Sequence, residues 1–310
     1  MGTGTDRGDV RRSGVVVRAF GKRFTVRSGG LDVDCKVRTQ IKKDSPDVTP
    51  VTAGDDVEFI LTGDGQGIIE RVLPRRTSFF RHSKGRSSKK QVLAANIDQL
   101  VIVESIHEPP LKPTLVDRFI VAAELGRLQP VVVLNKADLG LTPTVGELVD
   151  GYRRIEIPVF VTSAADGRGL EELRCELAGK RSLFVGHSGV GKSTLLNELI
   201  PGLDIRTADI SESTGKGRHT TTHVELHEFP SGGYLVDSPG LKVLSLWELT
   251  AEELPWRFRE FERFSSECRF RDCAHLSEPD CAVQAAVACG DIPEFRYQSY
   301  LQIRQSLIGA

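Results

Sequence analysis

Between Ser13 and about Leu73 the chain alternates apolar and polar residues in short runs broken by turn residues. The runs are Gly14–Arg18, Arg23–Arg27, Leu31–Val37, Asp56–Leu61 and Gly67–Val72, with Ser28-Gly29-Gly30 closing the second. Five short strands with such punctuation predict a small antiparallel barrel of the OB type. From about Ala94 the pattern changes. Apolar strands at Gln99–Ile106, Pro130–Leu134, Pro158–Val161 and Ser182–Val185 alternate with helical runs, including one that Thr114 can cap, Leu170–Leu177, and Thr194–Ile200 ending at Pro201-Gly202. That alternation predicts a doubly wound α/β sheet, whose ligand belongs at the carboxyl ends of its strands. Strands at His223–Phe229 and Gly233–Val236 follow. From Thr250 the text turns helical, with Leu254, Trp256, Phe258, Phe261 and Phe264, and two tail helices at Ala282–Ala288 and Phe295–Leu307.

Charge sharpens this division. The 310 residues carry 41 basic and 42 acidic side chains, yet residues 1–95 hold 19 Lys/Arg against 11 Asp/Glu, and the remainder 22 against 31. A basic front end suggests a polyanionic partner. Arg75, Arg76, Arg81, Lys84, Arg86, Lys89 and Lys90 form an acid-free stretch interleaved with Phe79, Phe80 and His82. It reads as a basic linker suited to phosphate-backbone contact or simply as a solvated one. OB-type barrels bind single-stranded nucleic acid on one face, though packing alone would account for the fold equally well. Residues 1–13 are charged and Gly-rich and read as a disordered tail. No apolar run is long enough to span a bilayer. Six cysteines without a signal-peptide core read as thiols or metal ligands.

The chemistry concentrates in motifs. Gly186-His187-Ser188-Gly189-Val190-Gly191-Lys192-Ser193-Thr194 fits G-x-x-x-x-G-K-[ST] between a strand end and a helix start. Its backbone N–H groups and the helix N-terminus suit phosphates, Lys192 the β and γ phosphates, and the Ser193 hydroxyl Mg²⁺. Asn135-Lys136-Ala137-Asp138 lies at a strand end. Guanine offers two adjacent donors, N1–H and the 2-amino group, which the Asp138 carboxylate accepts together. Adenine lacks that pair and leaves the carboxylate unpaired. Asn135 can tie the loop, Lys136 can lay its stem over the ring, and Ala164, after Thr162-Ser163, can offer an N–H to the guanine oxygen. Asp237-Ser238-Pro239-Gly240 reads as D-x-x-G, with Asp237 in the Mg²⁺ shell and the Gly240 N–H sensing the γ-phosphate. This loop and the polar loop Ser213–Thr222 read as switches. Cys268, Cys273, His275 and Cys281 follow C-x4-C-x-H-x5-C, a closed tetrahedral set suited to one structural Zn²⁺. Cys35, Cys175 and Cys289 read as small apolar residues. Arg296, Tyr297, Tyr300 and Arg304 in the tail read as possible RNA contacts.

The base-reading motifs precede the phosphate loop, so the order is a circular permutation, which a compact sheet tolerates. With NKAD, GHSGVGKST, GRHTTT, DSPG and the cysteine cluster together, nearly the whole chain resembles the circularly permuted ribosome-biogenesis GTPases of the RsgA/YjeQ type. The resemblance implies a GTPase stimulated by the small ribosomal subunit, binding its rRNA and acting late in its maturation. It carries Asn135, Lys136, Ala137, Asp138, Ser163 and Ala164 over as base contacts and Gly186 to Thr194 as the phosphate loop. Thr221 becomes the switch threonine. Leu241 follows D-x-x-G where Ras-like enzymes place a water-orienting Gln; an apolar side chain cannot orient water, and His219 is the family-like substitute, with contact to RNA or solvent as its other role. Ser238 stands where the family usually has Thr. The implied organisation is a tail at 1–13, an OB barrel at 14–74, a basic linker at 75–93, a permuted GTPase domain at 94–246 and a helical zinc-binding domain at 247–310. The expected ligands are GTP and GDP with Mg²⁺, and the expected state is a cytoplasmic monomer without a membrane partner. A nucleotide-gated RNA-binding scaffold that does not need hydrolysis is the alternative, and a P-loop kinase is opposed by NKAD and D-x-x-G together. Because the second switch runs almost directly into the zinc module, the γ-phosphate state is expected to reorient that module against the barrel.

Overall fold

The computed structural model describes residues 11–44, 49–62, 65–82, 90–205, 224–237 and 249–309. His219, Thr221, Ser238, Gly240 and Leu241 therefore lie outside the described residues, as do the loop Ser213–Thr222 and the boundary drawn at residue 246.

The five strands expected at the front are present: β1 (Arg12–Phe20), β2 (Arg23–Ser28), β3 (Leu31–Val37), β4 (Asp56–Leu61) and β5 (Gly67–Val72), with a short α1 (Thr39–Asp44) after β3. β1 pairs with β2 and β4, β2 with β3, β3 with β5 in parallel, and β5 with β4, so the sheet closes into the predicted barrel. Inward residues Val16, Phe24, Val26, Val57, Phe59 and Ile69 fill it. β1 begins at Arg12, so the barrel takes up the last residues of the stretch read as tail.

Within the stretch read as a basic linker, the described residues include two paired strands, β6 (Ser78–His82) and β7 (Lys90–Ala95). Phe79 and Leu93 pack into the main core, and Arg75 forks onto the fully buried Asp55 at 2.7 and 2.9 Å. Apolar packing and that ion pair, which charge counting along the sequence does not register, tie the described residues of this stretch into the fold.

The α/β body comprises β8 (Gln99–Ser105), α2 (Pro113–Gly126), β9 (Gln129–Asn135), α3 (Pro143–Arg154), β10 (Val159–Val161), α4 (Leu170–Leu177), β11 (Arg181–Val185), α5 (Lys192–Leu199), β12 (Glu225–Glu228) and β13 (Tyr234–Asp237). Its strand order is β10-β9-β8-β11-β13-β12, parallel except for β12. Alternation along β8 explains the two layers. Leu100 and Ile102 join the core under α2 and α3, whereas Val101 and Val103 join the core under α4 and α5. Thr114 does not cap α2. Pro113 occupies the first turn and the Thr114 hydroxyl donates to Gln302 at 2.8 Å. The sheet continues into the barrel, because Arg18 of β1 pairs with Glu225 of β12 and their side chains meet at 2.6 Å.

At the C-terminal end Thr250 and Glu253 cap each other reciprocally, each side chain accepting the other's backbone N–H. The helical run that follows is broken at Phe258, whose extended backbone separates a short 3-10 turn from α6 (Arg259–Ser265). α7 (Ala282–Cys289) and α8 (Glu294–Ile308) complete the chain. α8 lies on α2 through a fully buried cluster: Arg296 donates to Asp117 at 2.7 Å and to Glu260 at 2.7 and 3.2 Å, and Tyr152 donates to Asp117 at 2.8 Å. Arg296 and Tyr300 are thus core residues, not RNA contacts. Two carboxylates compensate the one buried guanidinium, and the Tyr300 hydroxyl donates to the Ala274 carbonyl at 2.6 Å.

Candidate nucleotide site and metal centre

The phosphate loop leaves β11 at Val185, and two of its glycines are required by close approach. A Cβ on Gly186 would sit 2.2 Å from the Val103 carbonyl oxygen, and one on Gly191 (φ +86°) would sit 2.5 Å from Nδ2 of Asn135. Any larger residue at either place pushes the loop off the strands beneath it. Val190 anchors the loop in the core below, while His187, Ser188 and Gly189 are exposed and Ser193 and Thr194 open α5.

The base-reading turn abuts this loop. Asn135 is buried at the end of β9. Its Nδ2 donates to the Val190 carbonyl at 3.0 Å, and its Oδ1 accepts from the Thr162 hydroxyl at 3.2 Å. One side chain therefore joins the phosphate loop, the NKAD turn and the TSA turn, the tie expected of it. Lys136 takes a left-handed conformation (φ +65°) and its ammonium reaches the Glu108 carbonyl. Asp138 is exposed, with Oδ1 accepting from the Ser163 hydroxyl at 2.7 Å. Ser163 also receives the Ala165 and Asp166 N–H groups, and Arg168 donates to the Ala137 carbonyl at 3.1 Å. Among the described residues the Ala164 N–H has no protein acceptor.

Asp237 ends β13, the strand beside β11, and its Oδ1 lies 2.5 Å from the Lys192 ammonium. The structure thus places every described residue of the predicted nucleotide site along one edge of the sheet, at the carboxyl ends of β9, β10, β11 and β13.

Sequence reasoning passed over the segment that frames the site, residues 105–112. His107 Nε2 donates to the Gly140 carbonyl at 2.7 Å, and Ser105 Oγ accepts the His107 and Glu108 N–H groups. It also passed over Glu104, almost fully buried in β8 with Oε1 lacking a partner among the described residues, whose carboxyl burial pushes up to about 7. The signal was present: Glu104 is the one ionisable residue in β8 and follows the apolar run Leu100–Val103.

In the C-terminal module the ligand atoms of Cys268, Cys273, His275 and Cys281 lie within 4.8 Å of one another. His275 Nδ1 is 3.4 Å from Cys281 Sγ and 3.7 Å from Cys268 Sγ, and the two sulfurs are 4.0 Å apart. A tetrahedral ion with bonds of about 2.3 Å to sulfur and about 2.0 Å to nitrogen needs separations of about 3.5–3.8 Å, which the Cys268, His275 and Cys281 donors approach, with Cys273 inside the same 4.8 Å group. Burial holds the His275 imidazole below its ordinary value, favouring the neutral ring that ligates. Ser265 Oγ stands 3.4 Å from its Nε2, and Tyr297 donates to its carbonyl at 2.7 Å. Of the remaining cysteines, Cys35 is buried as expected, whereas Cys175 and Cys289 are exposed.

Comparison with known proteins agrees with this geometry. The family model described as RsgA GTPase matches residues 72–247. The small ribosomal subunit biogenesis GTPase RsgA of Chlorobaculum tepidum is 43% identical over 304 residues, covering 95% of this chain and 98% of that one. The crystal structure of YjeQ from Thermotoga maritima superposes with a TM-score of 0.81 at 36% identity, covering 97% of this chain and all of that one. The structure of YloQ, a circularly permuted GTPase, gives 0.76 at 27% identity, covering all of this chain and 98% of that one.

Proposed function

This chain belongs to the RsgA GTPase family, and on that premise we propose that it hydrolyses GTP to GDP and phosphate on the small ribosomal subunit, late in the maturation of that particle. The observation that carries the reading is the Asn135 side chain, bonded on one side to the phosphate loop and on the other to the TSA turn. A base read by Asp138 and phosphates held by residues 186–194 then belong to one ligand.

Each residue has a role in this reading. Asp138, kept in place by Ser163, accepts the two guanine donors, and the Ala164 N–H meets the guanine oxygen. Lys136 covers the ring. Lys192 and the loop N–H groups hold the β and γ phosphates, while Ser193 and Asp237 provide oxygen ligands toward Mg²⁺. His219 orients the attacking water, with Thr221 and Gly240 as the γ-phosphate sensors. Cys268, Cys273, His275 and Cys281 hold one Zn²⁺ that fixes the turn under α7 and α8 and has no position left for substrate. The basic barrel contacts rRNA. The protein acts as a cytoplasmic monomer, and no helix among the described residues is long and apolar enough to cross a membrane.

The buried cluster around Arg296 bears on switching. It holds the C-terminal module on α2, so in this reading a signal from the γ-phosphate reaches that module together with the α/β body. The test is GTP hydrolysis with and without purified small subunits, with ATP as control. Stimulated, GTP-selective turnover supports the proposal. Binding of GTP to the subunit complex without any turnover favours the nucleotide-gated scaffold instead. In the enzyme reading, His219→Ala abolishes the stimulated rate and keeps GTP binding.

A further inference from the structure

Glu104 lies next to the phosphate loop without belonging to any motif. Val185 of β11 pairs with Ile102 of β8, so the chain leaving β11 runs alongside residues 103 and 104. Gly186 packs on the carbonyl of Val103, the peptide that leads into Glu104. The backbone N–H of His187 faces the Glu104 carboxyl. The side chain is 1% exposed and, among the described residues, its Oε1 has no hydrogen-bond partner. A buried carboxyl with an unsatisfied oxygen is costly when ionised.

The surroundings do little to offset that charge. From α2 the charged group acting on it is Lys112, which is exposed at the head of the helix. From β9 the residue opposite is Leu134, followed by the neutral Asn135. From the phosphate loop comes His187, whose exposed ring bonds its own neighbour's carbonyl, Nδ1 to Ser188 O at 3.0 Å. Burial therefore dominates, and the carboxyl titrates near neutrality, at about 7.

We propose that Glu104 couples guanine-nucleotide binding to proton uptake, its carboxylate taking one proton from solvent when phosphates enter the loop beside it. The inference rests on the reading of residues 186–194 as the phosphate site. Nucleotide phosphates bring negative charge against a loop whose first peptides adjoin the carboxyl. Like charges in a poorly solvated place disfavour ionisation, so the acid form becomes the stable one in the complex. The balance is simple: one O–H bond forms on Glu104, and the proton comes from water or buffer. By linkage, the proton also tightens the nucleotide. Affinity should fall as pH rises, by up to about tenfold per pH unit between the midpoints of the free and bound states.

The test is calorimetric titration with GDP at pH 7 and pH 8, at fixed Mg²⁺, in buffers of different ionisation enthalpy. The wild type should take up more protons per GDP than Glu104→Gln and should lose several-fold more affinity between the two pH values. The nucleotide's own titration is common to both proteins and cancels. Should Glu104→Gln fold poorly, Glu104→Met serves in its place. Carboxyl-¹³C NMR of the wild type supplies a variant-free readout, in which the Glu104 midpoint should rise when GDP binds. Equal proton uptake and equal pH slopes in wild type and variant, or a midpoint unmoved by GDP, would overturn this inference alone. Absence of GDP binding at every pH would overturn the nucleotide-site reading and this inference with it.

Discussion

The ammonium of Lys192, at the start of α5, lies 2.5 Å from the carboxylate of Asp237 at the end of β13, and both side chains are largely buried. Each neutralises the other between the first turn of α5 and the end of β13. In the proposed reading a magnesium nucleotide presents an anion to the first and a cation to the second, so binding would separate the pair and offer each member a stronger partner. Charge-assisted hydrogen bonds of this kind contribute about 1.5–3 kcal/mol. Lys192→Ala should therefore weaken GDP by roughly 10–100-fold, and by leaving Asp237 unpaired it should also lower unfolding stability by about 1–3 kcal/mol. Asp237→Asn should instead reduce the Mg²⁺ dependence of GTP binding while keeping most of the Mg²⁺-independent affinity for GDP. Titrations with and without Mg²⁺ separate the two.

The cluster Arg296–Asp117–Glu260 makes a second prediction. Arg296 also stacks over the Phe258 ring at 4.5 Å. Replacing it by Met leaves two carboxylates buried without a cation, a change that costs about 3–5 kcal/mol. Urea unfolding should show that loss. Combining Arg296→Met with Asp117→Leu and Glu260→Leu should recover much of it, because an apolar cluster no longer buries unpaired charge.

Metal removal is the third. The Cys268–Cys281 set sits under α8, with Tyr297 and Tyr300 donating to the carbonyls of His275 and Ala274. Elemental analysis should find one zinc per chain. Chelation should lower Tm and raise hydrogen exchange first in α7 and α8, and Cys281→Ser should do the same without chelator.

Glu104 sets the expected dependence of stability on pH. Its carboxyl is raised from 4.5 to about 7 in the folded protein, chiefly by burial. Between those values the folded state holds a proton that the unfolded chain has released, so stability falls as pH rises through that window. The loss is on the order of 3 kcal/mol by pH 8. Denaturant unfolding at pH 5 and pH 8 should show this slope in the wild type and a flatter one in Glu104→Gln.

Much of this molecule was legible in its sequence, for identifiable reasons. The bounds of the barrel strands follow from alternation and Gly-rich turns, and α4 runs Leu170–Leu177 as read. Helix α3 escaped. Thr142 caps it and Pro143 opens it, but Gly146 and Gly151 interrupt the periodic pattern. Gly151 is there because Phe295 of α8 packs on it: a Cβ would stand 2.5 Å from the ring. A contact 144 positions away leaves no local trace. Arg296 misled for the same reason, since its partner Asp117 is 179 residues distant and a lone arginine in a polar-looking helix reads as surface. The motifs of the site were readable because loop chemistry demands particular residue types in short order. The framing segment 105–112 acts through isolated groups, the His107 ring on the Gly140 carbonyl, the Ser105 hydroxyl on its own turn and the Glu108 carbonyl under Lys136, which form no motif in the sequence.

The account stands on recognition of guanine by Asp138 beside the phosphate loop. Calorimetry of the pure protein with GDP and with ADP tests it most directly. The expected result is GDP binding at least about a hundredfold tighter than ADP, with Asp138→Ala erasing the difference. Equal affinity of the wild type for the two nucleotides would contradict it.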